Sequence, residues 1–487
     1  MINGKKHQKS DNNMTKKNMV YQTLYQFLIL GIPLILSPYL TRTIGSEGLG
    51  TYSYCFSIAN YFSIFIMMGL QVHGCRAIAA CQNKEERRVV FYSLMIFHLI
   101  CSGIVILLYS FFILVFGNGY TSVYLILLFY LLSCALDTTW LFYGKEDFKS
   151  VVLKNSAVKL LELVLIFVFV KSKSDLLLYV LIISCSLFLG SILLLPSVLK
   201  DLKPYRPSFS DIKPHIKPLL FLTISVIAIN VYTLLDKTII GIFVDDNNSS
   251  VAYYDYSEKI AKLPITILAV VGSVLLPKMS SLFSSNNIEE MKRIVHKSTL
   301  LLSCLATGAC FGVAAIAKLI MPIYYGENFS ICGDYLMYLS PLIIIIPFGS
   351  TVRNSYLIPS GRDKQYLVSL IVGALTNIVI NLLLIPSIGV LGAIIGTITA
   401  ELFACLLQFY FVRKELPVVK YFLEMVPFLA FGLLMFVILN VLNASLDKSL
   451  TTVFIDVLVG IVSYSSMSFV YFRLTHKDII LIKKKGN

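Results

Sequence analysis

Long, unbroken apolar runs separated by short polar stretches recur along the whole chain. Runs of spanning length fall at 19–41, 51–73, 89–116, 122–143, 151–170, 176–199, 218–240, 252–277, 294–320, 332–358, 365–387, 391–412, 421–443 and 452–474. Each reaches the ~20 residues that carry a helix across hydrocarbon. Hydrophobic and polar positions do not alternate within them, so they predict helices rather than barrel strands. Gly31, Pro33 and Pro38 interrupt the first run, and Pro341 and Pro347 the tenth. Spanning helices tolerate such residues where neighbouring helices satisfy the freed backbone groups. The pattern predicts an all-α, polytopic membrane protein of ~14 transmembrane helices.

The polar stretches set the orientation. The segments 1–18, 74–88, 144–154, 200–217, 278–297, 359–364, 413–420 and 475–487 hold 30 of the 41 Lys and Arg residues. The opposite loops hold only Arg42, Lys171, Lys173 and Lys448. Cytoplasmic loops carry the excess of Lys and Arg, so both termini are expected in the cytoplasm. An even number of spans requires the same. The resulting organisation is a cytoplasmic tail (1–18), an N-lobe of six spans (19–199), a cytoplasmic linker (200–217), a C-lobe of six spans (218–412), two further spans (421–474) and a second cytoplasmic tail (475–487). The linker, rich in Pro and basic residues, joins two halves as in transporters built from repeated bundles. Thr41-Arg42-Thr43-Ile44-Gly45 before a tyrosine-rich span, and Asp236-Lys237-Thr238-Ile239-Ile240-Gly241 before another, suggest a parallel internal repeat.

Composition agrees with this reading. Hydrophobic residues make up 57% and charged residues 14%, and mean hydropathy is +0.79. A soluble domain carries roughly 25% charge, so this chain lacks the polar residues for a water-facing surface. The net charge of +14 would suggest nucleic acid on a soluble protein. Here it follows from topology, and no nucleic-acid partner is expected. The ten Cys include no C-x-x-C pair and read as small buried hydrophobes. There is no Walker A loop and no H-E-x-x-H, no metal site, no nucleophile beside a base, and no long external loop. A membrane enzyme is therefore disfavoured and no cofactor is expected beyond H+ or Na+ coupling.

The informative residues are charges inside spans, where each costs roughly 2.5–3.5 kcal/mol unless paired or wet. Asp255 with Lys259 and Glu258 with Lys262 are i,i+4 pairs, beside Asp236 and Lys237 on the preceding span. They read either as cavity lining or as self-neutralising pairs. Lys159 and Glu162 are three apart. Arg42 ends the first span, as an anion ligand or as an interfacial anchor. Arg353 has no acid within one turn, and its planar fork suits phosphate. Asp137 and Glu401 lack a neighbouring cation, and each is either a proton site or hydrogen-bonded within the bundle. Lys318 and Arg473 read as snorkelling residues, His98 as a satisfied bundle histidine, and Asn377 with Asn381 as interhelical glue. Together these residues suggest a transporter or flippase with an anionic substrate, bound by Arg42, Lys159, Lys237, Lys259, Lys262 and Arg353. Asp137, Glu162, Asp236, Asp255, Glu258 and Glu401 serve charge pairing or ion coupling.

Several ordered motifs carry a resemblance. Pro38-Tyr39-Leu40-Thr41-Arg42-Thr43-Ile44-Gly45-Ser46-Glu47-Gly48-Leu49-Gly50 resembles the first-loop signature of bacterial polysaccharide and O-antigen repeat-unit flippases, within the multidrug/oligosaccharidyl-lipid/polysaccharide exporter superfamily. Trp140-Leu141-Phe142-Tyr143-Gly144-Lys145-Glu146, Asp236-Lys237, Tyr253-Tyr254, Leu276-Pro277-Lys278, Tyr325-Gly326-Glu327-Asn328-Phe329 and Pro386-Ser387-Ile388-Gly389-Val390-Leu391-Gly392-Ala393 follow in the family's order. The resemblance covers roughly 20–412. It implies two six-helix lobes in a V shape, in a bacterial cytoplasmic membrane. It further implies translocation of undecaprenyl-pyrophosphate-linked oligosaccharide to the outer leaflet by alternating access, for capsule, O-antigen or teichoic acid. Membrane lipid and the glycan polymerase machinery are the implied partners, and the protein is expected to be a monomer. Arg42 and Lys237 sit at signature positions, whereas Lys159, Lys259, Lys262 and Arg353 rest on charge alone. The alternative is an ion-coupled multidrug or cation antiporter of the same fold, which the excess of cations disfavours.

Overall fold

The computed structural model describes residues 25–117 and 119–475, so the tail 1–18 and nearly all of 475–487 lie outside the described residues. Those described are helical, with no strand among them. A first helix, α1 (25–43), leads to α2 (Gly45–Met67), α3 (Leu70–Ala80), α4 (Lys84–Phe116), α5 (Thr121–Ala135), α6 (Thr139–Gly144), α7 (Phe148–Phe169), α8 (Leu176–Asp201) and α9 (Phe209–Phe243). There follow α10 (Ser249–Ser284), α11 (Ile288–Tyr325), α12 (Ile331–Leu339), α13 (Leu342–Val352), a π-helical segment Arg353–Leu357, α14 (Asp363–Ile388), α15 (Val390–Val412), α16 (Val418–Asn443) and α17 (Leu450–Thr475). Eleven helical stretches among the described residues are long and apolar enough to cross a membrane. They match eleven of the fourteen predicted runs. The other three runs correspond to α1, α7 and α9, which are also helices; α7 carries Lys149, Lys154, Lys159 and Glu162 within 22 residues. Side chains such as Leu107, Leu114, Phe116, Leu383, Phe454 and Val462 are exposed, as a lipid-facing surface requires.

The chain forms two compact units, 1–238 and 239–487. The division falls inside α9 rather than in the expected linker. The cause is packing of α9 on the first unit: Leu222 lies against Gly69, His215 meets His73 at 3.0 Å, and Thr238 hydrogen-bonds Ser57 at 2.9 Å.

In the first unit, Trp140 is fully buried with Leu94, Phe91 and Leu194. It fills the space left by Gly74, where a Cβ would come within 2.5 Å of the indole. Gly144 approaches Ile78 and the Cys75 carbonyl as closely. The Trp140–Glu146 motif is therefore a packing device that docks α6 on α3. At the same end of this unit, Asp201 accepts from Lys84 at 3.2 Å and from Lys145. The beginning of α4, the end of α6 and the end of α8 thus meet, which is the single-sided clustering that the loop charges predict.

The second unit repeats a local device of the first. Asn83 caps α4 by accepting from the Glu86 amide, and Asn287 caps α11 by accepting from the Glu290 amide. Acidic pairs, Glu85-Glu86 and Glu289-Glu290, occupy the two first turns, where the helix dipole favours negative charge. Both helices follow a tyrosine-rich span, so the equivalence hinted at by the Thr-Ile-Gly pairs extends to helix caps. Residues of α11, the α13–π stretch, α15 and α16 form the core around Met291, Phe348, Phe409 and Tyr421. Its basic end is tied by Glu415, which accepts from Tyr356 at 2.6 Å and from Arg362 Nη2 at 2.7 and 2.8 Å.

That tie has a pH signature. Burial pushes the Glu415 carboxyl up, but the hydrogen bonds from Tyr356 and Arg362 outweigh it and hold the acid below its usual range. A depressed folded-state value stabilises the fold above the unfolded value of about 4.3, and the contribution is lost as pH falls through the folded value. Exposure of the pair limits it to about 1 kcal/mol. Melting of wild type and Glu415→Gln should therefore differ at pH 7 and converge toward pH 3; a gap constant across that range would remove this assignment.

Candidate functional site

Among the described residues, charged side chains within the spans stand out on α10, at Arg353 and beside a cavity of the first unit. In the second unit, α10 carries the two predicted pairs as formed ion pairs. Lys259 Nζ is 2.8 Å from Asp255 and Lys262 Nζ 2.7 Å from Glu258. The acids are buried, at 6% and 8% side-chain exposure, while the lysines are 42% and 52% exposed. Each acid is thus used to hold a lysine whose ammonium remains reachable. Lys259 also lies 4.0 Å over the Tyr256 ring. Both pairs form, and the lysine heads stay exposed.

Arg353 begins the π-helical segment that follows Pro347. π-Helical turns are rare and frequent at functional sites. The guanidinium is half-buried, donates to Asn354 Oδ1 at 3.3 Å and lies 5.6 Å over the Tyr366 ring. It makes no ion pair among the described residues. Glu401 is half-buried on α15.

In the first unit, a cavity of about 280 Å3 lies among α1, α2, α5, α7 and α8. Lys159 and Asp137 both line it. Lys159 binds both oxygens of Glu162, at 2.8 and 3.0 Å, as the i,i+3 spacing suggested. Asp137 accepts from Gln71 at 2.8 Å and from the Thr139 amide and hydroxyl, each at 3.0 Å. Its carbonyl accepts from Trp140 Nε1 at 3.1 Å. Sequence reasoning missed the uncharged members of this wall: Tyr25, Tyr130, Asn155, Ser186 and Gly190. A signal existed, because Asn155, Lys159 and Glu162 recur at i, i+4 and i+7, one helix face.

The remaining candidates are placed singly. Arg42, exposed at the end of α1, donates to the Pro38 carbonyl at 2.9 Å, the position of a cation at a helix C-terminus. Asp236 is buried and Lys237 half-buried on α9. Arg42, Lys159 and Lys237 belong to the first unit, and Lys259, Lys262 and Arg353 to the second. His98 is buried against the Cys134 carbonyl at 3.1 Å, and Asn381 donates to Asn377 at 3.0 Å. Lys318 pairs with Asp334 at 2.7 Å at its helix end.

A multi-pass helical bundle that carries formed ion pairs within its spans has the build of a membrane transporter. The chain belongs to the polysaccharide biosynthesis protein family, whose model matches residues 15–283, and the model of the lipid II flippase MurJ matches 160–450. It is 26% identical over 397 residues to a protein of Shigella dysenteriae named "Putative O-antigen transporter", covering 79% of this chain and 97% of that one. A protein of Escherichia coli strain K12 with the same name is 22% identical over 407 residues, covering 82% and 97%. A solved structure of the lipid II flippase MurJ in an inward closed conformation superposes with a TM-score of 0.76 at 17% identity, covering 95% of this chain and all of that one. The matching families and relatives are transporters and flippases, not catalysts.

Proposed function

We propose that this protein is a flippase that carries an undecaprenyl-pyrophosphate-linked oligosaccharide, the repeat unit of a surface polysaccharide, from the cytoplasmic to the outer leaflet of a bacterial cytoplasmic membrane. Supporting this above all is the pair of glycan-lipid family models, which together span residues 15–450. The charge distribution fits such a cargo. Lys259 and Lys262 present reachable ammoniums, and Arg353 offers a guanidinium fork without an ion-pair partner among the described residues. With Arg42 and Lys237 they supply positive groups to both halves, and a pyrophosphate is the anion they match; Lys159 stands apart from them, held by Glu162. An antiporter for drug cations would need the opposite sign.

In this reading transport proceeds by alternating access, the lipid tail stays in the bilayer, and both termini are cytoplasmic. The membrane potential, worth ~2.3 kcal/mol per charge per 100 mV, favours expulsion of an anionic head group. H+ or Na+ entry through Asp137, Asp236, Glu401 or the paired acids adds a second source of energy. The protein acts as a monomer and delivers to the glycan polymerase machinery.

Deleting the gene should remove the surface glycan and trap its lipid-linked precursor in the inner leaflet. Wild-type protein should restore display. Lys237→Ala, inserted at wild-type level, should not. Normal glycan display in the deletion strain would refute the flippase reading, and full activity of Lys237→Ala would refute the role of this cation.

A further inference from the structure

We infer that the cavity within the first unit is a saccharide subsite: it holds one neutral sugar ring of the cargo, apart from the cations that meet the pyrophosphate. The inference rests on the flippase reading for its substrate class and adds where the sugar is recognised.

The size limits the occupant. Ligand pockets run from about 300 to 1,000 Å3, and the volume of about 280 Å3 lies just below that range. It suits a single ring, not an oligosaccharide. The wall chemistry then selects among small occupants. A sugar presents hydroxyls around its rim and C–H groups on its faces. The cavity offers the Asn155 amide, the Ser186 hydroxyl and the Asp137 carboxyl for the former. The rings of Tyr25 and Tyr130 line the same space for the latter. Tyr130 is fixed, since its hydroxyl lies within hydrogen-bond distance of Asn60 Oδ1, at 3.0 Å, and of Ser63 Oγ, at 2.9 Å. A held aromatic ring is a low-entropy platform, because little rotamer freedom remains to be lost on binding.

The charge balance excludes the other part of the cargo. Lys159, the one cation among the described residues on this wall, is bound to both oxygens of Glu162, and Asp137 adds a further carboxyl. A pyrophosphate placed here would meet a neutralised lysine and an extra acid, whereas a neutral ring would gain donors and acceptors already oriented. Lys159 therefore serves the sugar end of the head group.

Gly190 permits a direct test. It lies on the cavity wall, and a Cβ built there meets only Asn155 Oδ1, at 3.5 Å, an ordinary contact. Gly190→Ala should therefore be tolerated, and Gly190→Leu should extend into the cavity. Both replacements improve helix propensity within α8. The probe is the mixture of monosaccharides released by acid hydrolysis of the host's own surface glycan, applied to purified full-length protein in neutral detergent and read by saturation-transfer NMR. Wild type and Gly190→Ala should show sugar signals, reduced at least tenfold in Gly190→Leu. Inorganic pyrophosphate binding, read by calorimetry, should be unchanged by Gly190→Leu. Equal sugar signals in wild type and Gly190→Leu would overturn the inference. So would absent signals from a wild-type protein that restores surface glycan to the deletion strain. Failure of the wild type to restore that glycan would instead defeat the flippase reading, which separates the two.

Discussion

Arg353→Ala should reduce transport of the lipid-linked oligosaccharide by 10- to 100-fold while leaving the amount of protein in the membrane unchanged. The guanidinium has Asn354 and the Tyr366 ring as neighbours and no salt bridge among the described residues, so its removal leaves no ion-pair partner stranded. On the proposed reading, what is lost is a charge-assisted contact to the cargo, about 1.5–3 kcal/mol for a hydrogen bond to a charged group, and every 1.4 kcal/mol is tenfold. Arg353→Lys keeps the charge and loses the planar fork, so it should fall between the two; Arg and Lys are not interchangeable where both oxygens of an anion are held. The measurement is the initial rate in proteoliposomes against the concentration of lipid-linked oligosaccharide, with protein content determined by blotting. Wild-type rates for Arg353→Ala would remove this residue from the binding surface. A loss equal to that of Arg353→Ala in Arg353→Lys would show that geometry outweighs charge.

Gly392→Val should be the most damaging of single structural changes at the family motifs. The chain reverses from α14 into α15 through Gly389, with φ at +58°, a conformation that strains residues with a Cβ. Three residues on, a Cβ at Gly392 would lie 2.6 Å from the backbone of Leu384 and Ile385. Side chains can rotate away from such a clash, but helical backbone cannot, so the two helices must separate. Overpacking costs about 1–3 kcal/mol, and this contact belongs at the upper end. At about 2–4 °C per kcal/mol for a unit of this size, melting should fall by about 6–12 °C. Gly103→Val, where nothing lies within 4 Å of an added Cβ, is the control and should melt near wild type. Equal melting of both variants would show that the α14–α15 contact contributes little.

The motifs that carried the resemblance prove to have different physical origins, and legibility follows that difference. Gly389 and Gly392 mark a tight helical hairpin, and Gly144 with Trp140 marks the docking of α6 on α3 through Gly74. Neither is chemistry, although both read as signatures. The local ion pairs Lys159–Glu162, Asp255–Lys259 and Glu258–Lys262 were legible because helix geometry places i, i+3 and i+4 together. Their division of labour, with buried acids and exposed lysines, was not, since it depends on which helix face meets neighbours.

Other contacts left no local trace. Asp137 meets Gln71 across 66 residues, Glu415 meets Arg362 across 53, and Asp201 gathers Lys84 and Lys145 from two other helices. Spacing cannot join residues on separate helices. The π-helical turn at Arg353 is likewise silent in a run of Ile, Pro, Phe and Ser, because it reflects how α13 fits against α10 and α15.

By itself the sequence determined that the chain is a bundle of membrane-spanning helices, where most spans lie, and which loops share a side. The transfer of apolar residues from water and the placement of Lys and Arg are sums over local residues, and they hold whatever the packing. The tertiary structure decided which of the charged groups are satisfied, where the division between units falls in α9, and that uncharged residues of several helices line a cavity beside Lys159. Those outcomes depend on faces of distant helices meeting, and helix-to-helix fit is a property of shape that no stretch of sequence carries alone.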